Sequence, residues 1–168
     1  PRFRGDIAQT RVRRILATGL EKSRYTVFND ITLPSGGGTV HIDHLVVSRF
    51  GIFVIDSQYV RGWVSGGEFQ DRWKLRRWNR FTRFDNPLHR NALQVDAVVN
   101  ALKVPSRTIH PLVVLVGHKG LDSSMPERLL SPEHLLSYIR KKDQQVMDGE
   151  QADRVLKEIA ASLIQTSG

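Results

Sequence analysis

The sequence predicts an α/β sandwich built on a mixed sheet. Three observations predict it. The elements run helix, three strands in hairpin succession, ribbon, helix, apolar strand and closing helices. The links inside the strand group, Pro34-Ser35-Gly36-Gly37-Gly38 and Arg49-Phe50-Gly51, are short enough for antiparallel hairpins. Residues Pro111 to Val116 form a continuous apolar run, as in a strand covered on both faces. With 168 residues, 40% hydrophobic and 25% charged, the chain is long enough for one domain, expected over residues 1–168, with a sizeable core.

Each element has its own signal. Between Asp6 and Leu20, Ile7, Val12, Ile15, Leu16 and Leu20 recur at helical spacing, with Arg11, Arg13 and Arg14 on a solvated face. Strands follow over Tyr25 to Leu33, Thr39 to Ser48 and Ile52 to Val60. The glycines at 36–38 lack the Lys-Ser/Thr and the helix that a phosphate loop needs, so they read as a hairpin turn. After a Gly62-Trp63 turn signal, residues 63–84 read as one or two further strands or an irregular ribbon. Asn86-Pro87 opens a helix to about Lys103 through Leu88, Leu93, Val95, Val98, Val99 and Leu102. Ser131-Pro132 opens another, with Ser as its cap, and Asp148 with Gln151 forms a capping box for the last.

The formal net charge of +8 favours a polyanionic partner, nucleic acid before an anionic membrane surface. The absence of cysteine removes disulfides, thiolate zinc sites and cysteine nucleophiles. No window approaches the roughly 18 apolar residues of a membrane span, and no signal peptide is visible. The chain opens on Pro1, which suggests a piece of a longer polypeptide with other domains or a membrane tether outside it. The expected location is the cytoplasm.

The stretch Gly51-Ile-Phe-Val-Ile-Asp-Ser-Gln58 places Asp56 at the end of an apolar strand. Unpaired, a buried charge there costs several kcal/mol, so Asp56 needs solvent or a partner. Asp56 and Gln58 share a strand face, about 6–7 Å apart. Reflection through a turn centred on Phe50 carries Asp43 to position 57, so Asp43 and Asp56 become near neighbours. Two carboxylates so close repel unless one is protonated or a cation sits between them, and a hard divalent cation such as Mg²⁺ is the usual solution. Taken singly, each Asp also suits a plain hydrogen-bonded strand end. The six histidines are scattered and form no metal-binding set.

The strip from Arg72 to Phe84 interleaves cations with aromatics. Arg72, Lys74, Arg76, Arg77, Arg80 and Arg83 suit phosphates, and Trp78 or Phe81 suits stacking on an unpaired base. Trp73 and Leu75 are expected to face the core.

Taken together, Gly-Asp-Ile-Ala-Gln9, Ile-Asp43-His-Leu-Val-Val, Gly-Ile-Phe-Val-Ile-Asp56-Ser-Gln58, Arg-Gly62-Trp, Trp73 and Asn86-Pro-Leu-His-Arg-Asn91 occur in the order seen in NERD (nuclease-related) domains. The chain resembles that family over roughly residues 5–116. The resemblance implies a restriction-endonuclease-like, PD-(D/E)xK three-layer sandwich with a central mixed sheet flanked by helices. It also implies binding of DNA or RNA and phosphodiester hydrolysis with Mg²⁺ or Mn²⁺, without a small-molecule cofactor. The family's helix Glu, strand Asp and Glu-x-Lys fall on Gln9, Asp43, Asp56 and Gln58. Asp43, Asp56 and the Ser57 carbonyl would hold the metal, Gln58 would orient a water, and Gln9 would hydrogen-bond behind them. Arg90 joins the cations expected on phosphate; it and Gln94 stand where Gln and His are common.

Two positions depart from the pattern. Gln58 has no charge to stabilise the transition state and cannot act as a base, and losing one such group costs about 10²–10³ in rate. Some nucleases of this fold do carry Gln there. Gln9 removes a third carboxylate and makes a second metal less favourable. The expectation is an impaired nuclease. The alternative is a catalytically degenerate module serving nucleic-acid binding or contact with a protein or membrane surface.

Overall fold

The computed structural model describes the backbone of residues 2–166 and the side chains of residues 7–163. Of the expected domain, Pro1, Ser167 and Gly168 lie outside the described residues, as do the side chains within residues 2–6, Asp6 among them, and 164–166.

Two tight turns start the sheet. Strands β1 (Thr26–Ser35) and β2 (Gly38–Ser48) pair antiparallel across Gly36-Gly37. Both glycines take positive φ, 53° and 85°, as a two-residue hairpin turn of this hand requires. β2 then pairs with β3 (Gly51–Ser65) across Arg49-Phe50. In that turn Ser48 Oγ accepts from the Phe50 N–H at 3.1 Å and donates to the Gly51 carbonyl at 3.2 Å.

Helices cover both faces of the sheet. On one face α1 (Arg2–Gly19) and α3 (Leu135–Lys141) bring Ala8, Val12, Leu16, Leu135 and Ile139 against Val46, Phe53, Ile55 and Val114. On the other, α2 (Pro87–Leu102) and α4 (Gly149–Thr166) bring Val98, Leu102, Val155 and Ile159 against Leu45, Val47, Ile52 and Val54. The alternation of 52 and 54 with 53 and 55 is the period of two that lets one strand serve two cores. Arg11, Arg13 and Arg14 are exposed, as expected. Ile7 and Leu93, counted in the apolar patterns, also stay exposed. Among the described residues no helix is long and apolar enough to cross a membrane.

The structure lengthens two strands. β6 (Ile109–Leu121) extends well beyond the apolar run and pairs parallel with β3 from Ile52 opposite Ile109 to Val64 opposite Leu121. That partner carries β3 through Gly62-Trp63, which therefore forms an irregularity within the strand and not a turn. Gly62 has φ 126°, and a Cβ there would stand 2.4 Å from the Arg76 carbonyl oxygen. The ribbon resolves into a hairpin of β4 (Arg72–Arg77) and β5 (Arg80–Asp85). A short β7 (Leu129–Leu130), with no clear sequence signal, pairs parallel with β6.

Trp73 and Leu75 turn inward as expected, Trp73 completely buried. The Trp73 indole donates from Nε1 to the Gly67 carbonyl at 2.8 Å and meets Phe84 edge-on. Trp73→Ala should destabilise the fold by about 3–5 kcal/mol, read as a lowered urea midpoint.

Two caps differ in outcome. Asp148 and Gln151 exchange backbone-to-side-chain bonds of 2.9 and 2.8 Å, a complete capping box. Ser131 makes no cap bond; its hydroxyl meets His118 Nε2 at 2.6 Å, and a 3-10 turn over Pro132–His134 leads into α3. A tertiary partner has taken the group that local pattern assigned to the helix.

Strand β3 is where the sheet changes partners. From Ile52 to Val64 it has β6 on one edge, interrupted only between Tyr59 and Gly62. The other edge is paired with β2 as far as Ile55 and with β4 only from Trp63 onward. Among the described residues, 56–62 have no strand partner on that edge. Asp56, Ser57 and Gln58 lie in this gap.

Candidate active site

The ladder between β2 and β3 ends at His44 opposite Ile55, and its next step would set Asp43 directly opposite Asp56. The turn is two residues, centred half a residue before Phe50, so the reflection carries Asp43 to 56 and not to 57, one residue out of the expected register. Where the strands part, the Asp43 side chain continues what the ladder began. Its Oδ2 accepts from the Ser57 N–H at 2.9 Å and from Ser57 Oγ at 3.1 Å. Its Oδ1 accepts from Gln9 Nε2 at 2.9 Å, and His41 Nδ1 stands at 3.4 Å. His41 in turn contacts Asp30, while His44 bridges Asn29 and Ser57 Oγ.

Asp56 faces α2. Gln58 Nε2 donates to its Oδ2 at 2.9 Å; Gln94 Nε2 donates to its Oδ1 at 3.2 Å, with Arg90 Nε 3.4 Å away. Arg90 and Gln94 are one helical turn apart and so reach the same acid. Asn91 bonds Gln94 Oε1 and the Val54 carbonyl, fixing α2 against β3. Asn91 and the Ser57 hydroxyl were not foreseen as site residues, and Gln94 only as a departure from the family pattern. For Gln94 the signal available was its spacing of four from Arg90, and for Asn91 its spacing of three from Gln94, on a predicted helix. Arg90, expected on phosphate, is paired with Asp56, and 53% of its side chain is open to solvent.

Both acids are essentially buried, Asp43 at 1% and Asp56 at 0% exposure. Burial pushes the Asp56 carboxyl up to about 6; Asp43 adds to the rise, while Arg90 and the two amides oppose it. Burial also holds His44 down to about 4, partly offset by the Asp43 charge, so its imidazole is neutral at physiological pH.

The donor set is hard oxygen: two carboxylates and the Ser57 carbonyl. Among the described residues no group of three or more His, Cys, Asp or Glu is placed to hold a metal. Such a set would suit a hard cation that keeps several waters, as Mg²⁺ does, once the amides that now donate to the acids give way. Gln9 and Gln58 now present amide N–H to the acids, and a half-turn of either amide would present oxygen instead.

The cations of the ribbon form two separate clefts. Arg72, Lys74 and Arg83 border one with Asp71 and Asp122; Arg76 and Arg77 border the other with Trp63 and Trp78. Among the described residues, none of these cations bonds to Asp43 or Asp56.

A seven-stranded mixed sheet between helical layers, with its acids where the central strand changes partners, defines a restriction-endonuclease-like sandwich. The nuclease-related domain profile, NERD, matches residues 4–116, more than half of the chain. The chain belongs to the NERD family. It is also similar to an uncharacterized protein of Bacillus anthracis, with 31% identity over 98 residues, covering 58% of this chain and 46% of the relative. The chain thus spans about half the length of the curated relative it matches. No solved structure matches it significantly.

Proposed function

We propose that this chain binds DNA or RNA in the cytoplasm and hydrolyses phosphodiester bonds slowly, using Mg²⁺ or Mn²⁺ held by Asp43, Asp56 and the Ser57 carbonyl. The buried Asp43–Asp56 pair, where β2 and β3 part, carries this reading: two acids share a site whose nearest full positive charge is a half-exposed arginine. A bound cation would polarise the phosphate and acidify water. Asp43 is pre-oriented by the Ser57 N–H and hydroxyl, so little side-chain freedom is lost when it takes a ligand. Arg90 can offer its solvent-facing guanidinium to a phosphate oxygen. Gln58 can orient a water through its amide oxygen but cannot accept its proton.

Millimolar Mn²⁺ should raise the melting temperature of the wild type and not of Asp56→Ala. A labelled oligonucleotide should be cut slowly by the first and not by the second. No thermal shift and no cleavage would overturn the reading. One observation favours a second reading: Gln9 and Gln58 both hydrogen-bond the acids. Tight nucleic-acid binding without cleavage in Mn²⁺ would identify a binding module on a nuclease fold.

A further inference from the structure

Beyond the acids, β3 runs into a second concavity of about 250 Å³ lined by Arg61, Trp63, Arg76, Arg77, Trp78 and Lys119. Three strands build it. Trp63 sits opposite Gly120 of β6 on one side and Arg76 of β4 on the other. Its ring lies where a Gly120 side chain would be: a Cβ there would come within 2.2 Å of Cζ3. The absence of a side chain at 120 thus seats the indole against the sheet, with half of its surface open. The Arg76 guanidinium lies over that ring, 5.9 Å from its centre.

Trp78 borders the cleft from the β4–β5 turn, Trp78-Asn79, and is 90% exposed. Its φ is 57°, a conformation that Gly or Asn adopts easily and a bulky side chain does not. An exposed indole held in an unfavourable backbone conformation gains nothing for the core; such outliers concentrate where a side chain is displayed for contact. Among the described residues, Arg61, Arg76, Arg77 and Lys119 have no carboxylate within ion-pair distance, so their charge is free for a ligand.

We infer that this cleft holds an unpaired nucleotide, with its base stacked on Trp78, with Trp63 and its covering Arg76 guanidinium forming a wall of the slot, and with the adjoining phosphates on Arg61, Arg77 and Lys119. This specifies single-stranded or frayed nucleic acid as the partner, and it rests on the nucleic-acid reading above. Stacked duplex bases cannot enter such a slot, whereas any unpaired base has a face to offer. A lipid surface fits less well: interfacial binding needs a continuous apolar face, whereas here four cations line a concave slot around two indoles.

Binding of fluorescein-labelled oligothymidylate, and of a duplex of the same length, in EDTA at physiological salt tests the assignment. Trp78→Ala should weaken single-strand binding roughly 5- to 150-fold and leave duplex binding nearly unchanged. Trp78→Phe should stay near wild type. Gly120→Ala should weaken single-strand binding by displacing Trp63 without touching the ligand, and wild-type-like circular dichroism would show that its fold is intact. Equal losses on both substrates, or no loss on either, would overturn the cleft. So would loss of binding to phosphatidylserine-rich vesicles with oligonucleotide binding intact, which would make the turn a membrane contact. Because the assay contains no metal, the two proposals separate. Single-strand-selective loss with no cleavage under any metal upholds the cleft against the nuclease reading. Cleavage with unchanged single-strand binding in Trp78→Ala does the reverse.

Discussion

Gln58→Lys combined with Gln9→Glu should raise Mn²⁺-dependent phosphodiester cleavage by at least about 10²–10³ over the wild type. Gln58 already hydrogen-bonds Asp56 Oδ2, so a lysine there would hold its ammonium beside the acid and within reach of a phosphate. It supplies the charge that an amide cannot, at the point where charge accumulates during displacement. Gln9→Glu adds a third carboxylate beside Asp43, where Gln9 now donates at 2.9 Å. Without metal that charge should be a burden, lowering the melting temperature in EDTA and restoring it in Mn²⁺. Measured against an Asp56→Ala blank, a folded, metal-supplied double variant that stays inert would sink the nuclease assignment.

The two acids should respond to neutralisation with opposite signs. In EDTA at neutral pH, Asp56→Asn should stabilise the protein by on the order of 2–3 kcal/mol, the equivalent of displacing a carboxyl from 3.8 to about 6. The folded state holds the Asp56 proton more tightly than the unfolded chain does. Stability from this group is therefore present below about pH 4 and lost as pH rises toward about 6, so the advantage of Asn should vanish in acid. His44 works the other way: its neutral form is favoured on folding, and its contribution is lost as pH falls from 6.5 toward about 4. With Asp56 removed, the acid-side loss due to His44 should be plainly visible in the melting temperature. Asp43→Ala should instead destabilise by about 1–3 kcal/mol, because it strands the buried Ser57 N–H without its acceptor and leaves the Ser57 hydroxyl only His44. A chemical-denaturation series across pH checks both; equal destabilisation by the two substitutions would refute the account of the pair.

The acids were legible because a hairpin with a short turn converts sequence separation into proximity, and an Asp in an apolar strand demands an explanation. What local reading could not reach depends on partners distant in sequence. Gly62 looks like a breaker until β6 lies beside it, and the residues past Val60 join β3 because β6 pairs Gly62 to Val64 and β4 pairs Trp63 to Ser65. Ser131 carries a cap signature, yet His118 claims its hydroxyl. Gln94 and Asn91 matter only once α2 is laid across Val54 and Asp56. The seat of Trp63 on Gly120 depends on the register of β3 against β6, which no short-range pattern encodes.

The sharing of β3 by both sites has a metrical consequence. Gln58 and Trp63 are five residues apart on that strand, both paired to β6 and separated by the irregularity at Gly62, which keeps their separation within about 16 Å. A strand of nucleic acid anchored by one base at the far end is thereby measured as it reaches the acids. Were both proposals to hold, β3 would act as a ruler, and cuts should fall at a set offset from the anchored base.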